Sequence, residues 1–136
     1  MIQMSDAAFV RAFEKGGVTP GQFDHVAHVR VAWVYLQEAA SFEEALSRMR
    51  DAIRVFAAAA GVPQKYHETI TVLWMRLLAD VRAAGASGEL SDVLRSHPAL
   101  ADKDLPLQYY SRELLFSDDA RGAWVEPDRR PLTPLA

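Results

Sequence analysis

The sequence predicts an all-α fold: an up-down bundle of four main helices, with one or two short C-terminal helices and an extended tail. Three observations carry that expectation. Apolar residues recur at helical spacing in four stretches, each bounded by a capping residue or by a glycine or proline stop. Alanine runs such as Ala57-Ala58-Ala59-Ala60 favour helix. No segment alternates apolar and polar residues as a half-buried strand would.

Taken in order, Ser5 caps a first helix with Phe9, Val10 and Phe13 on one face and Gly16-Gly17 as its stop. After the Val18–Gln22 turn, Asp24 caps a second helix that runs to about Ala40. Ser41-Phe42-Glu43-Glu44 reads as a capping box, so a third helix begins almost without a loop and ends at Gly61 and Pro63. A fourth is expected from about Gln64 to Ala84, with Ile70, Leu73, Trp74, Leu77, Leu78 and Val81 on its stripe. Beyond Gly85-Ala86-Ser87-Gly88 the pattern weakens. Glu89 to Ser96 reads as a short helix stopped at His97-Pro98, and Leu105 to Phe116 as another. From Trp124 onward the prolines at 127, 131 and 134 predict extended chain laid over the bundle through Trp124 and Leu132. The expected organisation is a helical domain over 1–126 and a proline-rich tail over 127–136.

The 136 residues suffice for one domain with a full core, and half of them are apolar. A net charge of −3 gives no electrostatic footprint for nucleic acid. The absence of cysteine rules out disulfides, thiolate zinc sites and a cysteine nucleophile. The first residues lack the basic and apolar regions of a signal peptide, and no apolar run approaches the ~20 residues of a membrane span. A cytoplasmic protein without membrane partners is expected, as a monomer or a homodimer.

Chemistry concentrates in two places. Phe23-Asp24-His25-Val26-Ala27-His28 puts two histidines three residues apart at the start of the second helix, and Lys65-Tyr66-His67-Glu68-Thr69 opens the fourth. Short connections make sequential helices antiparallel, so the second and fourth begin at the same end of the bundle. On a helical wheel His25 shares its face with Val29, Ala32, Leu36 and Ala39, His28 lies about 60° to one side, and Arg30 and Gln37 fall on the wet side. His67 shares a face with Ile70, Thr71, Trp74 and Leu78. Three inward imidazoles at one end of a core can be satisfied by a metal, and a three-histidine set leaves positions open for water or substrate. Iron, copper and zinc all accept such ligands.

The leading expectation is therefore a small metal-dependent enzyme acting on a small, partly hydrophobic molecule, with His25, His28 and His67 as ligands. Glu68, Tyr109 or Tyr110 would handle protons, and Trp33, Tyr66 and Trp74 would form apolar walls. Against it stands the reading of buried histidines as ordinary core residues hydrogen-bonded to neighbours. On that reading the protein is a non-catalytic binder of a ligand or partner, or a metal-free enzyme with a histidine general base. Asp24 and Glu44 are accounted for as caps.

In plan the chain resembles the helical-bundle metal enzymes of the DinB type, in which histidines from separate helices hold a divalent metal. The resemblance covers architecture alone. Here the His-x-x-His lies on the second helix, and neither a His-x-x-x-His nor the paired Glu-x-x-His of di-iron bundles is present.

Overall fold

Capping geometry fixes where the helices begin. In the computed structural model, which describes residues 4–132, Ser5 Oγ accepts from the Ala8 amide at 3.2 Å, Asp24 Oδ1 from Ala27 at 2.9 Å and Ser41 Oγ from Glu44 at 3.1 Å. These caps open α1 (Asp6–Glu14), α2 (His25–Glu38) and α3 (Phe42–Ala59). The return bond of the expected capping box goes from Ala40 N to Glu44 Oε2 at 3.3 Å, one residue before the cap. Gly61, with φ +79, closes α3 in the left-handed region that a side chain would resist.

The described residues form one all-helical unit with no strand. The remaining helices are α4 (Glu68–Ala83), α5 (Leu90–Ser96), α6 (Arg112–Leu115) and α7 (Asp118–Gly122), with 3-10 turns at Pro63–Lys65, Pro98–Ala101 and Leu105–Gln108. Among the described residues no helix is long and apolar enough to cross a membrane.

α2 is the centre of the packing and touches α1, α3 and α4. Ala27, Val29 and every residue from Val31 to Leu36 are buried, so this helix is enclosed on nearly all sides, where an amphipathic stripe was expected. The two polar residues assigned to a wet face are tied down. Arg30 Nε donates to the buried Asp6 carboxylate at 2.7 Å, and Gln37 Nε2 to the Gly88 carbonyl at 3.2 Å. The same carboxylate accepts the Leu90 amide at 2.6 Å through its other oxygen, so Asp6 joins α1, α2 and α5.

Three boundaries differ from expectation. α2 stops at Glu38, two residues short of Ala40. Pro63 opens a separate 3-10 turn, and the extended backbone of His67 (φ −134, ψ 108) delays α4 to Glu68. The stretch from Leu105 to Phe116 is not one helix. Ser111 is extended (ψ 153) and caps α6 through Leu114 N at 3.1 Å. Ser117 then caps α7, an element the periodicity did not reveal, which packs on α4.

After α7 the chain is extended and laid over the helices, as expected of Trp124 and Leu132. Buried Thr69 Oγ1 donates to the Ala123 carbonyl at 2.8 Å and accepts from Val125 N at 3.2 Å. Trp124 meets the Tyr110 ring edge-on at 6.2 Å, Asp128 accepts from Ser111 N and Oγ at 2.6 Å each, and Leu132 packs against the core. Pro134 and the rest of the tail from 133 to 136 lie outside the described residues, as do positions 1–3.

Candidate functional site

The beginnings of α2 and α4 open onto one cavity of about 340 Å³, closed on a further side by α3. Its most buried lining residues, Val29, Ala32, Met49 and Met75, form an apolar floor. Ile53, Ile70, Tyr66 and Trp74 make the walls, while exposed Asp24, Lys65 and Lys103 mark the rim. All three expected histidines line this cavity. Their nitrogens, however, are not equivalent.

A carbonyl oxygen only accepts, so any ring nitrogen bonded to one must carry the proton. His25 Nε2–H donates to the Leu100 carbonyl at 2.9 Å, which leaves the lone pair of the neutral ring on Nδ1. His28 Nδ1–H donates to the Asp24 carbonyl at 3.1 Å, which leaves Nε2 in the same state. Burial, chiefly, holds the His28 pKa below its ordinary value, and the neighbouring His25 adds to that. Its ring packs against Phe23 with centroids 4.0 Å apart, and the His25 ring against Trp74 at 4.5 Å.

His67 has no nitrogen to spare. It is the cap of α4: its Nδ1 accepts the Ile70 amide at 3.1 Å while Nε2–H donates to the Leu115 carbonyl at 2.6 Å. Burial lowers its pKa as well, in keeping with a neutral ring locked in one tautomer. Among the described residues no group of three or more histidine, aspartate or glutamate side chains is placed to hold a metal ion. The physical reason lies in these bonds, since His67 could coordinate only by giving up a helix cap or a buried hydrogen bond.

The expected proton carriers sit elsewhere. Glu68 is clamped by Arg50 through two bonds, Nε at 2.9 Å and Nη2 at 2.6 Å, and also accepts from the Tyr66 hydroxyl. Arg50 is the main cause of its lowered pKa, and Glu68 does not line the cavity. Tyr110 is buried under Trp124, its hydroxyl donating to the Val125 carbonyl at 2.6 Å, and desolvation pushes its pKa up. Tyr109 lies beneath the Arg130 guanidinium, away from the cavity. Of the expected apolar walls, Tyr66 and Trp74 line the cavity. Trp33 does not. It is fully buried beside the Gly88 turn, with Nε1–H donating to that carbonyl at 2.8 Å.

No protein-family model matches the chain, and no curated protein or solved structure matches it. Function therefore has to be read from the chemistry of the cavity itself. Lys103, Met49 and Met75 belong to that cavity without having been singled out by sequence. Met49 and Met75 carried a weak signal, as apolar residues on helices flanking the histidines. Lys103 carried none, because the loop after α5 brings it in from far along the chain.

Proposed function

We propose that the protein binds a small, largely apolar molecule in the cavity between α2, α3 and α4, with a histidine of α2 as proton acceptor and without a metal. One observation carries the reading. His25 and His28 each have one ring nitrogen fixed by a backbone carbonyl and the other left with a lone pair, in a cavity whose floor is apolar. Such a site resembles small-molecule pockets generally: apolar walls with a few placed polar groups. A neutral imidazole with a free lone pair orients a hydroxyl or N–H donor, and it is the protonation state that a general base requires.

The metal-dependent reading keeps one foothold in the same two nitrogens, on residues three apart along α2. Iron, copper or zinc would have His25 and His28 as ligands, with His67 available only after releasing Ile70 or Leu115. Elemental analysis of protein purified without a tag separates the two. Near-stoichiometric metal lost in both His25→Ala and His28→Ala would replace the metal-free reading.

The binding test is a fragment screen by ligand-observed NMR on wild type and on Ala32→Leu, which fills the floor of the cavity. Binding that survives chelator and disappears in Ala32→Leu is the expected result. Hits that ignore Ala32→Leu would overturn the assignment of the cavity.

A further inference from the structure

We infer that the molecule taken by this pocket is an anion, a small carboxylate with an apolar body, whose charged group sits at the Lys65 and Lys103 rim. The inference rests on the pocket reading above and adds the chemical class and the orientation of the ligand. The chain as a whole carries a net charge of −3, yet the rim of this cavity is cationic. Among the described residues neither Lys65 nor Lys103 is ion-paired. Arg54, over the ring of the wall residue Tyr66 at 4.7 Å, is not ion-paired either.

The nearby acids are mostly spent. Glu68 is neutralised by Arg50. Asp24 is the one acid lining the cavity, and its Oδ1 is held by the Ala27 amide at 2.9 Å. Asp102 and Asp104 flank Lys103 in sequence but do not line the cavity, and Asp102 Oδ1 accepts the Asp104 amide at 2.9 Å. The first turns of α2 and α4 also face this space, and their dipoles add to the positive potential.

The histidines set the orientation. The lone pairs on His25 Nδ1 and His28 Nε2 offer nothing to a carboxylate, which is itself only an acceptor. A carboxylate therefore belongs at the lysines, with its apolar body toward Met49 and Met75. Any hydroxyl, N–H or acidic C–H of the ligand then meets a histidine.

The test uses three probes with one apolar body and different charge: phenylbutyrate, phenylbutyramide and phenylbutylamine, titrated calorimetrically at low salt. Phenylbutyrate should bind about tenfold more tightly than the amide, and the amine should bind most weakly. In a Lys65→Gln, Lys103→Gln double variant the carboxylate and amide should fall within about twofold of each other, and raising the salt should narrow the gap in wild type. Amide binding as tight as carboxylate binding, still abolished by Ala32→Leu, would overturn the anion and leave the pocket reading standing. A carboxylate preference that persists in the double variant would overturn the lysine assignment. Failure of all three probes to bind would overturn both readings together.

Discussion

His67 shows how one hydrogen-bond inventory changes the meaning of a residue. With both nitrogens engaged it is part of the frame that starts α4 and ties it to Leu115. His67→Ala should cost about 2 kcal/mol in urea unfolding, about 1 from the cap and about 1 from the bond to Leu115. A metal ligand behaves differently, since chelator would then destabilise the wild type toward the variant. Here chelator should leave the wild-type midpoint unchanged.

The pH dependence follows from the same environment. The pKa values of His28 and His67 are both lowered in the folded protein, so at a given pH below their ordinary value the unfolded chain binds more protons. This contribution to stability is complete above the unfolded histidine value of about 6.5 and is lost as pH falls from there toward the folded values. Thermal midpoints measured down from neutral pH should drop below about 6.5, and less steeply in His67→Ala. A flat profile through that window would contradict the locked tautomers.

At the scale of elements, the early chain was more legible than the late chain. α1, α2 and α3 begin at Ser5, Asp24 and Ser41 because their hydroxyl or carboxylate caps are local and visible in sequence. The start of α4 was not legible. Pro63 reads as the stop of α3, yet it opens a 3-10 turn that closes again at Lys65, and the cap of α4 is a histidine, whose ring nitrogen does the work usually done by an oxygen. A helical wheel has no authority over a cap residue, which lies outside the helix, although His67 is buried and lines the cavity all the same. The segment from Leu105 to Phe116 failed for a related reason. Its apolar residues fit a helical period, while Ser111 divides it into the Leu105–Gln108 3-10 turn and α6, and Ser117 caps α7 just beyond it.

Two ties at this scale are testable. Glu68 bridges the start of α4 to Arg50 on α3 and takes the Tyr66 hydroxyl. Glu68→Gln should destabilise by about 1–3 kcal/mol while leaving ligand affinity within about twofold, the split expected of a structural carboxylate. Loss of turnover or binding with stability intact would return Glu68 to the site. Thr69 pins the Ala123–Val125 segment through both functions of its hydroxyl. Thr69→Val should cost about 1–3 kcal/mol and, in hydrogen-exchange measurements, deprotect the Val125 amide before those of α2.

On the scale of the whole molecule, burial of α2 on nearly all sides gives the site a rigid member, and the end where α2 and α4 begin is where that burial is incomplete. Sequence placed the histidine-bearing ends together, because helix order and short loops are local facts. It could not place Lys103, which arrives through the irregular region after α5, nor tell that Trp33 faces the Gly88 turn rather than the cavity. Those are matters of long-range packing, and periodicity does not encode them.

The most direct test is a methyl NMR titration of methionine-labelled protein with phenylbutyrate. Met49 and Met75 are buried in the cavity floor, whereas Met4 is exposed and does not line the cavity. The account predicts saturable shifts at the Met49 and Met75 methyls, none at Met4, and no response at any of the three in Ala32→Leu. Unmoved Met49 and Met75 methyls, or shifts of equal size at Met4, would contradict it.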